Sequence, residues 1–313
     1  MTKRTVALVG IGKIARDQHV PAISASPDWE LAATVSRNGK VEGVAGYLSI
    51  EEMLEAHPEV DVISLCLPPV PRFQAAATAL RASRHVMLEK PPGATVAECH
   101  ALHTLAQDAG VSIFATWHSR EASQVANAKA WLAGRQIRSL QIIWKEDVRR
   151  WHPGQDWIWQ AGGLGVFDPG INALSILTEI LNVPVRISSA ELYFPENCET
   201  PIAANLEFGG IVDADINADF DFRQQGDQTW AIEIATDDGE MVLSEGGAKL
   251  SINGNEQTGN EDENTLTGEY PRLYARMHEL VSNGGSDFDL APMVLTADAF
   301  LLGRRVVVDP FHE

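Results

Sequence analysis

The chain has 313 residues, 45% hydrophobic and 21% charged, the composition of an ordinary folded protein with room for two domains or one large one. Its 43 acidic residues against 24 basic ones leave a net charge of −19, which repels nucleic acid and anionic membranes and argues against both as partners. No apolar run approaches the roughly 18 residues that a membrane span needs. Met1 to Arg4 lead straight into a strand with no room for a signal peptide, and Cys66, Cys99 and Cys198 have neither metal nor disulfide spacing. A reducing cytoplasm is expected.

The first strand, Val6–Val9, is apolar and β-branched, as a strand buried in a parallel sheet is. It runs into Gly10-Ile11-Gly12-Lys13-Ile14-Ala15, where a helical pattern opens. Gly10 permits a tight turn, Gly12 lets a pyrophosphate approach the backbone, and Ala15 keeps the helix close to the strand. A dinucleotide cofactor is therefore expected on Gly10, Gly12, Lys13 and Ile14. His19, just beyond, is expected to pack or cap locally. The second strand, Leu31–Val35, ends in Ser36-Arg37. An acidic residue there would bind the ribose 2′-OH of NAD, whereas a hydroxyl and a guanidinium suit a 2′-phosphate. NADP should bind at least as well as NAD, with NAD not rejected and no metal required.

A helix over Ile50–Ala56 precedes the strand Val60–Leu67, which Pro68-Pro69 break at its carboxyl end. That edge is where ligands bind in such sheets, so Pro68 joins the expected cofactor set. A helix over Phe73–Ser83, a strand over His85–Leu88, a helix over Val96–Ala109 and a strand over Ser112–Thr116 complete the alternation. Residues 1–118 thus read as an α/β, doubly wound parallel sheet, a Rossmann dinucleotide-binding domain.

The rhythm then changes. A helix near Ala122–Leu132 and a strand at Leu140–Trp144 lead to an aromatic loop. The turn Gly162–Gly165 opens a helix through Leu181. Six β-like runs follow: Ile187–Phe194, Ala203–Phe208, Val212–Phe222, Thr229–Thr236, Glu240–Ser244 and Lys249–Ile252. The acidic stretch Glu256–Glu263 reads as a solvated loop, and helices are expected over Tyr270–Ser282 and Pro292–Arg305. Residues 119–313 are read as an α+β substrate domain with a large, mainly antiparallel open sheet, its last helix free to pack back on the first domain.

Three segments carry chemistry. In Glu89-Lys90-Pro91-Pro92 the prolines restrict the residue before each. The turn would hold Glu89 and Lys90 at the cofactor, with the Lys90 ammonium placed to stabilise an oxyanion. In Gly162-Gly163-Leu-Gly165-Val-Phe-Asp168-Pro-Gly170-Ile-Asn172, Asp168 and Asn172 lie four apart on one face at a helix N-terminus. Asp168 reads equally as the N-cap of the helix that Pro169 begins. The third, Trp144 to Pro153, crowds Glu146, Trp151 and His152 among other charges. Trp151, Trp157 and Trp159 beside polar groups suit a sugar-binding wall, although any one of them could equally be core filler.

Together VGIGKIA, EKPPG and GGLGVFDPGIN resemble the glucose–fructose oxidoreductase and inositol dehydrogenase family (Gfo/Idh/MocA) over essentially the whole chain. GIGKIARDQHVPAI, HVMLEKPPGAT, FATWHSR and WKEDVRRWHPGQ are similar to its bacterial sugar 1-dehydrogenase branch. The resemblance implies NAD(P)-dependent oxidation of an aldopyranose, D-galactose or L-arabinose, at C1 to the lactone. It makes Lys90 and Asp168 the catalytic residues. Many members have a histidine four residues after the aspartate; here stands Asn172, which cannot act as a base, so Asp168 is the leading base with Lys90 assisting, and Glu146, His152 and His118 are the remaining titratable candidates. His118, Glu146, Trp151, His152 and Asn172 are the implied sugar contacts, and the open sheet implies a homo-oligomer. A non-catalytic cofactor-binding sensor would be expected to lose Lys90 or Asp168, and the chain keeps both. A sugar–sugar oxidoreductase with tightly bound cofactor, or a redox-neutral glycosidase of the same superfamily, stays open.

Overall fold

The computed structural model describes residues 3–258 and 268–312, which form two compact units. The first takes in residues 3–118 and 268–290, the second 119–258 and 291–312.

In the first unit, β1 (Arg4–Val9), β2 (Trp29–Val35), β3 (Ala45–Tyr47), β4 (Val62–Leu65), β5 (His85–Glu89) and β6 (Ile113–Thr116) form one sheet. Its order is β3-β2-β1-β4-β5-β6 and every pair is parallel. The strand order reverses between β1 and β4, the switch point at which such sheets bind ligands. All of Val62–Leu65 and Ile113–Thr116 is buried, because helices cover both faces. Those helices are α1 (Val20–Ala25), α2 (Ile50–Ala56), α3 (Pro69–Arg81) and α4 (Val96–Ala109). Local signals set their ends. Ser49 caps α2, and a Thr95–Glu98 capping box opens α4, which Gly110 closes in a left-handed conformation. The α3 helix begins four residues before the expected Phe73, because Pro69 suits the first helical turn, where the missing N–H costs nothing. The short, exposed β3 carries no apolar run and is not foreseen from the sequence.

The second unit holds α5 (Val125–Leu132), β7 (Ile137–Lys145), the single-turn α6 (Val148–Trp151) and α7 (Phe167–Ile180). After these come β8 (Arg186–Pro195), β9 (Ala203–Gly209), β10 (Asp215–Asp221), β11 (Thr229–Thr236), β12 (Gly239–Ser244), β13 (Lys249–Ile252) and β14 (Asn255–Glu256). Of the acidic stretch 256–263, Glu256 ends β14 and the residues from 259 lie outside those described. Two helices follow, α8 (Glu269–Asn283) and α9 (Ala291–Leu302), then β15 (Arg304–Val308).

The nine-stranded sheet of this unit runs β14-β13-β12-β11-β7-β10-β9-β8-β15. It is antiparallel except where β7 meets β10 and where β8 meets β15. Strand β10 shows its one-sided burial: Ile216, Ala218 and Phe220 are buried, while Asp215, Asn217, Asp219 and Asp221 are not.

Helix α8 packs on the Rossmann unit: Tyr270, Leu273, Tyr274 and Met277 join Val6, Leu8, Val62 and Met87 in one apolar cluster. The last helix, α9, packs with α7 and β8 of the second unit. It ends at Leu302, three residues short of the expected Arg305. Gly303 breaks it where a Cβ would lie 2.4 Å from the Ala299 carbonyl oxygen, and Arg304–Val308 turns into a strand instead. Among the described residues no helix is long and apolar enough to cross a membrane, and no His/Cys/Asp/Glu group could hold a metal ion.

Candidate active site

At the switch point, Gly10 has φ of +89°, and a Cβ there would lie 3.0 Å from the Leu67 backbone nitrogen. The turn therefore needs glycine. At Gly12 a Cβ would meet nothing within 4 Å, so the backbone faces open space of the kind a pyrophosphate fills. Past it, a π-helical segment Ala15–His19 runs on into α1. Lys13 is exposed and ion-paired with Asp17, and Ile14 is exposed as well. The Ser36 hydroxyl accepts from the Gly39 N–H at 3.0 Å, and a Cβ on Gly39 would strike the Ile11 carbonyl at 2.4 Å. That close approach lays the loop bearing Ser36 and the exposed Arg37 against the glycine turn. Pro68 is exposed directly after Leu67, whose backbone abuts Gly10. Gly10, Gly12, Lys13, Ile14, Ser36, Arg37 and Pro68 thus share one edge of the sheet, and these groups fit a dinucleotide.

Lys90 follows β5 in a turn with a cis Lys90–Pro91 bond. The buried Arg72 guanidinium fastens this turn by donating to the Glu89, Pro91 and Leu67 carbonyls. The Glu89 side chain points into the protein. It accepts from Tyr270 at 2.8 Å and from the Lys90 N–H at 3.1 Å, and pairs with His19 Nε2 at 2.9 Å; His19 Nδ1 meets the Tyr274 hydroxyl at 2.8 Å. Burial works against charge on both Glu89 and His19, and the surroundings overcome it. The His19 hydrogen bond, with the nearby His118 and Tyr270, lowers the Glu89 carboxyl to about 2. Cys66, Tyr274 and Glu89 hold His19 well above its ordinary value. Glu89 is thus a scaffold for the turn that carries Lys90. His19 serves a long-range pair, not a local cap. His118 lies in the same unit, 2.7 Å from Glu269 and stacked on Tyr270 with ring centroids 5.8 Å apart.

In the second unit the site grows from the carboxyl end of β7. Trp144 there lies opposite Phe220 of β10 and Trp230 of β11. Glu146 leaves the strand with its N–H donating to Asp221 O at 2.9 Å, and its buried carboxylate accepts from Trp230 Nε1 at 2.9 Å. Asp147 caps α6 through the Arg149 N–H, which delivers His152 at the helix end. The His152 ring lies between two buried carboxylates, Nε2 3.3 Å from Glu146 Oε1 and Nδ1 3.6 Å from Asp168 Oδ2.

Asp168 comes from α7, whose start is built on glycines. A Cβ at Gly163 would meet the Trp157 carbonyl at 2.3 Å, and one at Gly170 would meet the Phe220 ring at 2.7 Å. Only without side chains can this turn lie so close to its neighbours. The cap position is Val166, which makes no side-chain cap bond, and Asp168 is the second helical residue. The N-cap role read from the sequence is therefore not the one it plays; its carboxylate is turned to His152. Asn172 lies one turn on, half-buried.

Four side-chain polar atoms in this segment are buried without a hydrogen-bond partner: Trp144 Nε1, Glu146 Oε1, Trp151 Nε1 and His152 Nδ1. Buried polar atoms of this kind are groups to which a ligand's hydroxyls can bond. Trp151 tilts against Trp230 at 5.3 Å. Trp157 and Trp159 pack against the core, as filler does. Trp230, which has no motif around it, is a site residue that sequence reasoning misses. Of the implied sugar contacts, Glu146, Trp151, His152 and Asn172 lie in this unit with Asp168, while His118 and Lys90 belong to the Rossmann unit.

A Rossmann unit whose glycine turn is open at Gly12, followed by a unit with a buried carboxylate–imidazole cluster, defines the class of nicotinamide-dependent oxidoreductases. Residues 4–116 match the model of the oxidoreductase family with an NAD-binding Rossmann fold. The chain is 43% identical to the galactose 1-dehydrogenase of Pseudomonas fluorescens, with 98% of each chain covered. The crystal structure of the D-galactose-1-dehydrogenase protein from Rhizobium etli is 54% identical, with a TM-score of 0.94 over 100% of this chain and 99% of that one. KijD10, a 3-ketoreductase from Actinomadura kijaniata solved with NADP, shares the fold at 18% identity and a TM-score of 0.82, covering 98% of this chain and 100% of that one. The chain belongs to the Gfo/Idh/MocA oxidoreductase family.

Proposed function

We propose that this chain is an aldose 1-dehydrogenase that oxidises D-galactose at C1 to the lactone, with L-arabinose as a second substrate and NADP used at least as well as NAD. One observation carries the reading. Four buried polar atoms without a hydrogen bond fall within residues 144–152: Trp144 Nε1 and Trp151 Nε1, and two that belong to the Glu146–His152–Asp168 ion-pair cluster itself. A polyhydroxylated ring offers donors and acceptors in that density, and few other small ligands do. The likeness to galactose 1-dehydrogenases supports the choice of sugar.

In this reading Asp168 takes the proton of the C1 hydroxyl, since Asn172 has no base to offer. Lys90 supplies a cation for the developing oxyanion. Glu146, His152 and Asn172 hold the remaining hydroxyls, with Trp151 as an apolar wall. The bound nicotinamide supplies the hydride acceptor. Gly10 makes the turn and Gly12 leaves room for its pyrophosphate, and Ser36 with Arg37 meets a 2′-phosphate. D-Galactose and L-arabinose share configuration at C2, C3 and C4, so contacts limited to those hydroxyls accept both. The polar outer face of the nine-stranded sheet is the proposed contact between copies of the chain, and three free thiols suit a reducing cytoplasm.

The test is a spectrophotometric panel of aldoses with NAD+ and NADP+ in parallel. Reduction of NADP+ by D-galactose is expected. Cofactor binding without turnover of any sugar would replace the enzyme with a sensor. Protein purified with cofactor already bound would favour a sugar–sugar oxidoreductase or a redox-neutral glycosidase.

A further inference from the structure

We infer that Phe311 is a positioning residue for the sugar-binding loop, an inference that rests on the function proposed above. The segment following β15 does not trail away. The Asn197 side chain grips both main-chain polar groups of Phe311: the Phe311 N–H donates to Oδ1 at 2.9 Å, and Nδ2 donates to the Phe311 carbonyl at 2.7 Å. Such a two-point clasp fixes where the ring goes.

The ring then meets two parts of the loop that ends β7. The Arg149 guanidinium carbon lies 4.7 Å from its centroid, and the Trp159 ring 5.4 Å from it. Arg149 Nη2 also donates to the His312 carbonyl at 3.4 Å, and Arg149 Nη1 to Asp147 Oδ1 at 3.3 Å. Arg149 is therefore strung between the cap of α6 and the clasped segment.

Both contacts lead to His152. Arg149 is the second residue of α6 and His152 its C-cap, and a single turn is too short to hold its own shape, so its position follows what it is tied to. By the other route Trp159 meets Phe222 edge-on at 5.8 Å, and Phe222 meets His152 at 5.6 Å. Glu199 adds a backbone brace, its N–H donating to the Trp159 carbonyl at 3.0 Å and its carboxylate accepting from the Ala161 N–H at 2.7 Å. Phe311 thus stands at the far end of an aromatic row, Trp159 and Phe222, that reaches the imidazole between Glu146 and Asp168, and it holds Arg149 on α6 as well. It touches none of the reacting groups itself.

Loosening that row weakens sugar binding and spares the cofactor edge. Phe311→Ala is expected to raise KM for D-galactose about tenfold with kcat within about threefold and KM for NADP+ unchanged, the signature of lost substrate positioning. Phe311→Tyr keeps the ring and is expected to hold the wild-type KM, whereas Asn197→Ala should move it in the same direction as Phe311→Ala. The inference is overturned by a wild-type galactose KM in Phe311→Ala, by an equal rise in both KM values, or by a tyrosine variant as impaired as the alanine one. If Phe311→Ala fails to fold by circular dichroism, an unchanged galactose KM in Asn197→Ala overturns it. A wild-type enzyme that turns over no sugar fails the proposed function itself, and this inference with it.

Discussion

The imidazole of His19 lies 2.9 Å from the carboxylate of Glu89, 70 positions along the chain, and both side chains are buried. The pair ties the helix after the glycine turn to the end of β5, whose next residue is Lys90. Two charges buried together stand only if each finds its partner, and removing one costs about 3–5 kcal/mol.

Its pH dependence has a definite sign. The Glu89 carboxyl sits at about 2 in the fold against 4.5 ordinarily, so its contribution is present above about pH 4.5 and fades as pH falls toward 2. His19 is raised, so its contribution is full below about pH 6.5 and is lost as pH rises through the folded value. Thermal unfolding of the wild type and Glu89→Gln between pH 5 and 7 should show the variant less stable throughout, with the gap widening as pH falls, because only the wild type keeps a carboxylate against which His19 can charge. A gap independent of pH would mean that the pair does not titrate with folding.

Arg37 is the next test. It stands exposed on a loop that Gly39 lays against the glycine turn, beside Ser36. Arg37→Ala should raise KM for NADP+ by about tenfold or more and leave that for NAD+ nearly unchanged, because only NADP+ has a 2′-phosphate for the guanidinium to meet. Steady-state kinetics with both cofactors check this, and equal losses would remove Arg37 from the cofactor site.

How far the sequence exposes this molecule varies with the range of each interaction. The Thr95–Glu98 capping box and the left-handed Gly110 bound α4 at its expected ends, because both signals are local. The glycine turn is equally legible, since Gly10 stands at a φ of +89° against Leu67 and Gly12 leaves open space beside the backbone. Strand β15 is missed because Arg304 and Arg305 read as the end of α9, which leaves Val306–Val308 too short a run to stand as a strand until it pairs with β8. His19 is opaque for the same reason, its partners being Glu89 and Tyr274 at distant positions. In the candidate site, Glu146 and His152 show through a crowd of charges that packing does not explain. Trp230 is invisible, for one tryptophan in an alternating strand looks like core until its indole is seen bonded to Glu146. Trp157 and Trp159 show the reverse: prominent in sequence, they pack against the core.

The division of labour among Asp168, His152 and Asn172 is the sharpest remaining test. Asp168 is buried in the first turn of α7, and His152 Nδ1 lies 3.6 Å away. Asp168→Asn keeps the shape and removes the base, so kcat for D-galactose should fall by about 10² to 10⁴, the worth of positioned proton transfer. Lys90→Ala should lose a similar factor through the oxyanion it no longer stabilises. Asn172→Ala should act chiefly on KM, through one hydrogen bond worth about 1 kcal/mol. Glu146→Gln and His152→Ala should likewise impair sugar turnover while NADPH binding, followed by fluorescence, survives. The assignment turns on His152→Ala measured beside Asp168→Asn, with circular dichroism on both. If the histidine variant loses kcat as heavily and the asparagine variant keeps it, His152 is the base and Asp168 is the carboxylate that orients it.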